Sequence, residues 1–235
     1  MGLIFKIFKT IIKIGIVIFL ILLISGFYVY KSAIKNVPFE QKVIEVTSKN
    51  NYVEIQDISD YLKKYVVNVE DKRFYNHNGI DFIAIVGSLI SNINVGYYKY
   101  GASTITQQLA KNMYFSNEKK LTRKIAEMFV AFELEREYSK DDILEMYLNI
   151  IYFGNNYYGI NEASYGYFNV SPKNLNEYQS SLLVGIPQAP SIYDLKDKNN
   201  KAMEERYNQV LKILVKNKII TKIQAEEFRK MYLAS

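Results

Sequence analysis

A chain of 235 residues, 49% apolar and 23% charged, has material for one substantial core, or at most two small domains. It contains no cysteine, which excludes disulfides, thiolate nucleophiles and cysteine-ligated zinc. The formal charge is +6, but Lys6, Lys9, Lys13 and Lys31 supply four of the six charges, so the basic balance describes a positively flanked membrane segment rather than a nucleic-acid binder.

Residues 14–30 carry no charge, and Ile11 and Ile12 extend the apolar run past Lys13, whose long stem can snorkel. About 20 residues suffice to cross a hydrocarbon core of about 30 Å. Phe27, Tyr28 and Tyr30 sit at one end, as an interfacial belt requires. The stretch therefore reads as an uncleaved anchor over 11–31 behind a short cytoplasmic tail, 1–10; a cleaved signal peptide would have a shorter apolar core. Lys6, Lys9 and Lys13 favour an inside N-terminus, although Lys31 and Lys35 blur that bias. Residues 32–56 read as a stalk whose best strand is 43–46.

Residues 57–235 read as one mostly helical domain. The 3.6-residue spacing of Ile58, Leu62, Tyr65, Val66 and Val69 predicts a helix over 58–70, with Asp57 as its cap. Further helices are expected over 81–90, from Ser103 or Thr104 onward with Thr104 and Gln107 as a capping box, and over 121–138. Ser139 and Asp142 cap the next, through 149; Asn174 opens one ending at 184; the last two cover 201–217 and 222–231. Residues 91–100 have no period and read as an aromatic loop. There is no βαβ rhythm, glycine-rich phosphate loop or internal repeat.

Two carboxylates stand out. Glu70 falls at the C-terminal end of its helix beside Asp71, an unfavourable place for negative charge, which suits a group that accepts a proton. A frayed, solvated helix end fits the same pattern. In the helix over 121–138, Ile125, Met128, Phe129 and Phe132 form one apolar face, read as the core side. Glu127 lies on the other side among Val130, Ala131 and Leu134. Such a helix is buried on two sides, and a buried carboxylate needs a partner; Arg123 and Lys124 are within reach. A functional carboxylate and a structural ion pair both satisfy this. His77, the sole histidine, cannot form a multi-histidine zinc site and reads as a structural hydrogen-bonder.

The segment 70–81, EDKRFYNHNGID, resembles the opening motif of the peptidoglycan glycosyltransferases of glycosyltransferase family 51, which occur alone or as the first domain of bifunctional penicillin-binding proteins. Residues 101–111, GASTITQQLAK, are similar to the second motif and 123–127, RKIAE, to the third. Residues 143–160 resemble the fourth motif, and 182–190, LLVGIPQAP, the fifth. The likeness covers about residues 55–195 in the family's order.

It implies a mainly α, lysozyme-like glycosyltransferase domain with a small membrane-facing lobe, held by an N-terminal transmembrane helix on the extracytoplasmic side of the cell membrane. The implied reaction is inverting polymerisation of lipid II into glycan strands, with release of undecaprenyl diphosphate. Glu70 would be the general base and Glu127 a second catalytic carboxylate. Lys111, Arg123, Lys124 and Lys119 would hold pyrophosphate, and Ser103, Thr104, Gln107 and Gln108 would line the donor side. Lys119 stands where arginine is usual, keeping the charge but losing the bidentate fork. The resemblance leads one to expect a divalent cation (Mg2+ or Mn2+, with Glu127 as a ligand) and no organic cofactor. Expected partners are lipid II, the growing lipid-linked strand, membrane lipid and cell-wall synthesis proteins, with no nucleic acid. A monofunctional enzyme without a transpeptidase domain is expected. A lysozyme-like peptidoglycan hydrolase and a non-catalytic cell-wall scaffold remain alternatives.

Overall fold

Uninterrupted apolar sequence makes α1 (Gly2–Asn36) a single helix of 35 residues, about 50 Å long at ~1.5 Å per residue. The computed structural model describes residues 2–95, 101–116 and 120–234. Among these the architecture is mainly α, with no sheet and one isolated bridge, Tyr152 to Tyr158. The apolar stretch of α1 has a mean hydropathy of 2.7 and no burial, and it is long and apolar enough to cross a membrane, which fits a single-pass anchor.

The last turns of α1 lie along α6 (Leu121–Glu137). Gly26 permits the approach, because a Cβ there would stand 2.4 Å from Ile125 Cγ2. Phe27 and Tyr30 pack on the Phe129 ring at 5.3 and 5.4 Å between centroids. The Tyr30 hydroxyl donates to Glu133.

Where a strand was expected over 43–46, the chain forms α2 (Phe39–Thr47). Phe39, Val43 and Val46 are spaced by four and three residues, so a helix puts all three on one stripe, which is buried. α2 packs against α7 (Lys140–Ile150), and that contact outweighs the strand preference of the β-branched run.

α3 (Asp60–Glu70) begins behind Ser59, while Asp57 closes a 3-10 turn, Ile55–Asp57, instead of capping the helix. α4 (Phe82–Val95) continues through 91–95, where a loop was expected; residues 96–100 of that stretch lie outside the described residues. α5 (Ile105–Tyr114) starts with the Thr104–Gln107 capping box and α7 with the Ser139–Asp142 box, both as the sequence indicates.

α8 (Ile160–Phe168) has no counterpart in the sequence reading. It is punctuated by Gly159 at φ +82, where a Cβ would meet the Asn149 carbonyl oxygen at 2.4 Å, and by Asn169 in the left-handed region. The cap of α9 (Glu177–Leu183) is Asn176 with Gln179, not Asn174. α10 (Lys201–Lys216) packs on α3 and α9, and α11 (Lys222–Ala234) on α10.

The core centres on α5, which packs against α6 and α7. Leu109, Val130, Leu134, Leu144 and Tyr147 are fully buried there. The two faces of α6 are the reverse of the expected assignment: the side bearing Glu127, Val130, Ala131 and Leu134 meets the core, while Ile125 and Phe129 meet α1.

Candidate active site

Glu70 is the last residue of α3, and its side chain is 10% exposed. Gln108 Nε2 on α5 donates to Oε2 at 3.0 Å, and Arg206 Nη2 on α10 donates to Oε1 at 3.2 Å. A carboxylate only accepts, so Gln108 turns its NH2 to Glu70 and its carbonyl to Tyr147 Oη, 3.2 Å away. Burial, then the charges of Glu70 and Asp71, hold the Tyr147 phenol well above its ordinary pKa and keep it a donor.

Asp71 turns away from Glu70. Its carboxylate accepts from the Ile105 N–H at the start of α5 and lies 3.0 Å from His77 Nε2. His77 thus has the structural role its sequence suggests, with Nδ1 unpartnered among the described residues. Burial pushes the Asp71 carboxyl up, against the Ile105 N–H and His77. Asp81 is also pushed up by burial, but Arg73 and the Ala84 N–H outweigh this and hold it below the usual range. The ligand atoms of Asp71, His77 and Asp81 converge within 4.8 Å, yet Arg73 and backbone N–H groups already engage the carboxylates.

One turn beyond Gln108, on the same face of α5, stands Lys111. It is half-buried, and its side chain makes no hydrogen bond to any described residue. Burial first, then Arg123 and Lys124, push its ammonium below the ordinary lysine value, with Glu127 opposing. Lys124 Nζ bonds Ser103 Oγ and Glu127 Oε2, each at 2.8 Å. Arg123 Nη1 donates to the Ser116 carbonyl, while its Nε stands 3.4 Å from Glu127 Oε1 without hydrogen-bond alignment. Three cations thus gather around one buried carboxylate, an arrangement with surplus positive charge suited to an anion.

Glu70 and Gln108 are therefore joined directly, as are Ser103, Lys124 and Glu127, with Arg123 and Lys111 alongside. Thr104 and Gln107 are buried, and their polar atoms serve the α5 cap and the Gly79 carbonyl. Lys119 lies outside the described residues. The sequence reading missed Arg206. Its signal was a charged residue on the apolar stripe of α10 with Met203, Tyr207 and Val210.

This layout falls within a known class: the chain belongs to the family described as Transglycosylase, whose model matches residues 39–215. It carries a peptidoglycan glycosyltransferase domain related to those of class A penicillin-binding proteins. It is 42% identical over 193 residues to penicillin-binding protein 1A/1B of Bacillus subtilis (strain 168), covering 81% of this chain and 21% of the relative. It is 39% identical over 182 residues to penicillin-binding protein 2D of the same organism, covering 77% and 26%. Penicillin-binding protein 1A of Neisseria gonorrhoeae is 37% identical over 180 residues, covering 76% and 22%. The chain spans about a quarter or less of the length of these relatives.

Family membership corrects the expectation of a divalent cation, Mg2+ or Mn2+, held by Glu127: transglycosylase domains of this kind are metal-independent. The donor set gives the physical reason. Glu127 already pairs with Lys124, and its charged neighbours Lys111 and Arg123 repel a cation.

Proposed function

We propose that this protein polymerises lipid II into peptidoglycan glycan strands, with Glu70 as general base. The acceptor's 4-hydroxyl gives its proton to the Glu70 carboxylate as its oxygen forms a bond to the anomeric carbon of the lipid-linked donor strand. The bond from that carbon to the diphosphate oxygen breaks, its electron pair leaves with undecaprenyl diphosphate, and the configuration inverts. Lys111, Lys124 and Arg123 offset the charge that builds on the departing diphosphate. Ser103 orients Lys124, and Glu127 sets the spacing of the cations.

The observation that carries this reading is the helical face of α5. Gln108 holds Glu70, and one turn on Lys111 stands among the cations. A base for the attacking oxygen and a sink for leaving-group charge are therefore borne by one rigid element. The exposed apolar side chains of α4, including Phe82 and Ile83 at 68% and 69%, support a lobe lying against lipid. The anchor then keeps the domain on the surface its substrate cannot leave, with the N-terminal tail cytoplasmic and the domain outside.

The test supplies purified protein with lipid-linked disaccharide-pentapeptide. Wild type yields long glycan, and folded Glu70→Gln loses nearly all polymerisation. Normal turnover by Glu70→Gln removes the base assignment. Release of short fragments from finished cell wall, without polymerisation, replaces the synthase by a hydrolase.

A further inference from the structure

We infer that Arg206 is a positioning residue that aims the Glu70 carboxylate at the acceptor hydroxyl, an inference that rests on Glu70 being the base. Arg206 lies 136 residues beyond Glu70 and outside the catalytic residues assigned above. It sits among Met203, Tyr207 and Val210 on the buried stripe of α10, with its side chain 7% exposed. A guanidinium in such a stripe has to be matched by acceptors.

Two are present. Nε donates to the Gly185 carbonyl at 3.0 Å, just past the end of α9, and Nη2 donates to Glu70 Oε1. The guanidinium is planar, so fixing Nε on Gly185 fixes the direction in which Nη2 points. Gln108 is tied in the same manner by Tyr147. Each Glu70 oxygen is thus held by a donor that is itself secured from behind, through α9 and α10 on one side and α5 and α7 on the other.

The contacts also leave room for chemistry. A carboxylate offers about four lone-pair sites, and these two single-pronged bonds leave the others open. A guanidinium carries N–H donors and no acceptor, so Arg206 cannot compete for the proton that the acceptor hydroxyl releases. Its task is to fix the carboxylate for the transition state, and its loss should fall on kcat rather than on substrate binding.

The test compares Arg206→Met and Arg206→Lys with wild type and Glu70→Gln, using the full chain in detergent with lipid II. Thermal melting is recorded for each. Folded Arg206→Met should lose at least about tenfold in kcat, a part of the ~10²–10⁴-fold that general-base catalysis supplies, with KM little changed. Arg206→Lys, which keeps the charge without the fork, should recover part of that loss. Wild-type kcat in folded Arg206→Met overturns the inference, and so does a loss confined to KM. If Arg206→Met does not fold, Arg206→Gln, which retains a donor for Gly185, decides by the same split. Failure of both to fold assigns Arg206 to stability alone and overturns the positioning role. An inactive Glu70→Gln beside a fully active Arg206→Met rejects Arg206 while sparing the base; an active Glu70→Gln rejects the base itself.

Discussion

Lys124 Nζ lies 2.8 Å from Glu127 Oε2, but the two partners are unequally buried: the Glu127 side chain is 1% exposed and that of Lys124 39%. Removing either one therefore has a different cost. Lys124→Met leaves a carboxylate in the core without a hydrogen-bonded cation, with Arg123 poorly aligned and Lys111 acting through its charge alone. Breaking a fully buried pair in this sense costs roughly 3–5 kcal/mol, and these remaining cations and the exposure of Lys124 lower that cost here. Glu127→Gln keeps the shape and leaves Lys124 able to reach water and Ser103. Denaturation of the detergent-solubilised variants should rank Lys124→Met below Glu127→Gln in stability, with the double variant recovering part of the gap. Both should lose polymerisation activity, and neither Mg2+ nor Mn2+ should restore it. Equal stability of the two single variants would contradict this burial asymmetry.

Asp71 and Asp81 titrate with opposite consequences. The folded-state pKa of Asp81 is lowered, so its contribution to stability is present above about pH 4 and is lost as the pH falls through the folded value. Asp71 is raised by burial, so its contribution is full below about pH 4 and is lost as the pH rises through its folded value. Melting temperatures of wild type, Asp81→Asn and Asp71→Asn across pH 3–7 separate the two. The advantage of wild type over Asp81→Asn should shrink towards acid, while wild type should gain on Asp71→Asn over the same range. Parallel curves for the two comparisons would refute the assignment.

Local rules made much of this molecule legible. Thr104 with Gln107 and Ser139 with Asp142 are caps whose geometry is set within four residues, and they form as expected. The 17-residue uncharged run gives the apolar helix for the same reason. Glu127 was recognisable as buried because an acid among Val130, Ala131 and Leu134 has no other easy explanation. Which side faced the core was not legible, since both faces of α6 are apolar and α1 competes for one of them. Arg206 was missed because its partner is 136 residues away. A helical stripe announces that a side chain is buried, without naming the acceptor across the interface. The 43–46 run was misassigned for a related reason: its helical stripe is completed by Phe39, outside the window, and by the surface of α7.

Contact between the anchor and α6 gives the last prediction. Gly26 is a point of close approach, where an added Cβ would stand 2.4 Å from Ile125 Cγ2 and leave no room for a side chain. Gly15, earlier on the same helix, has nothing within 4 Å. Gly26→Leu and Gly15→Leu therefore add the same apolar side chain to α1, but only the first forces α1 and α6 apart. Overpacking of this kind costs about 1–3 kcal/mol. Because the opposite side of α6 bears Lys124 and Glu127, displacing it also shifts the cations relative to Lys111. In membranes of equal lipid content, Gly26→Leu should melt lower and polymerise more slowly, while Gly15→Leu should match wild type in both. If the two variants behaved alike, the docking of α1 on α6 would have no part in holding the site, and α1 would serve as a tether alone.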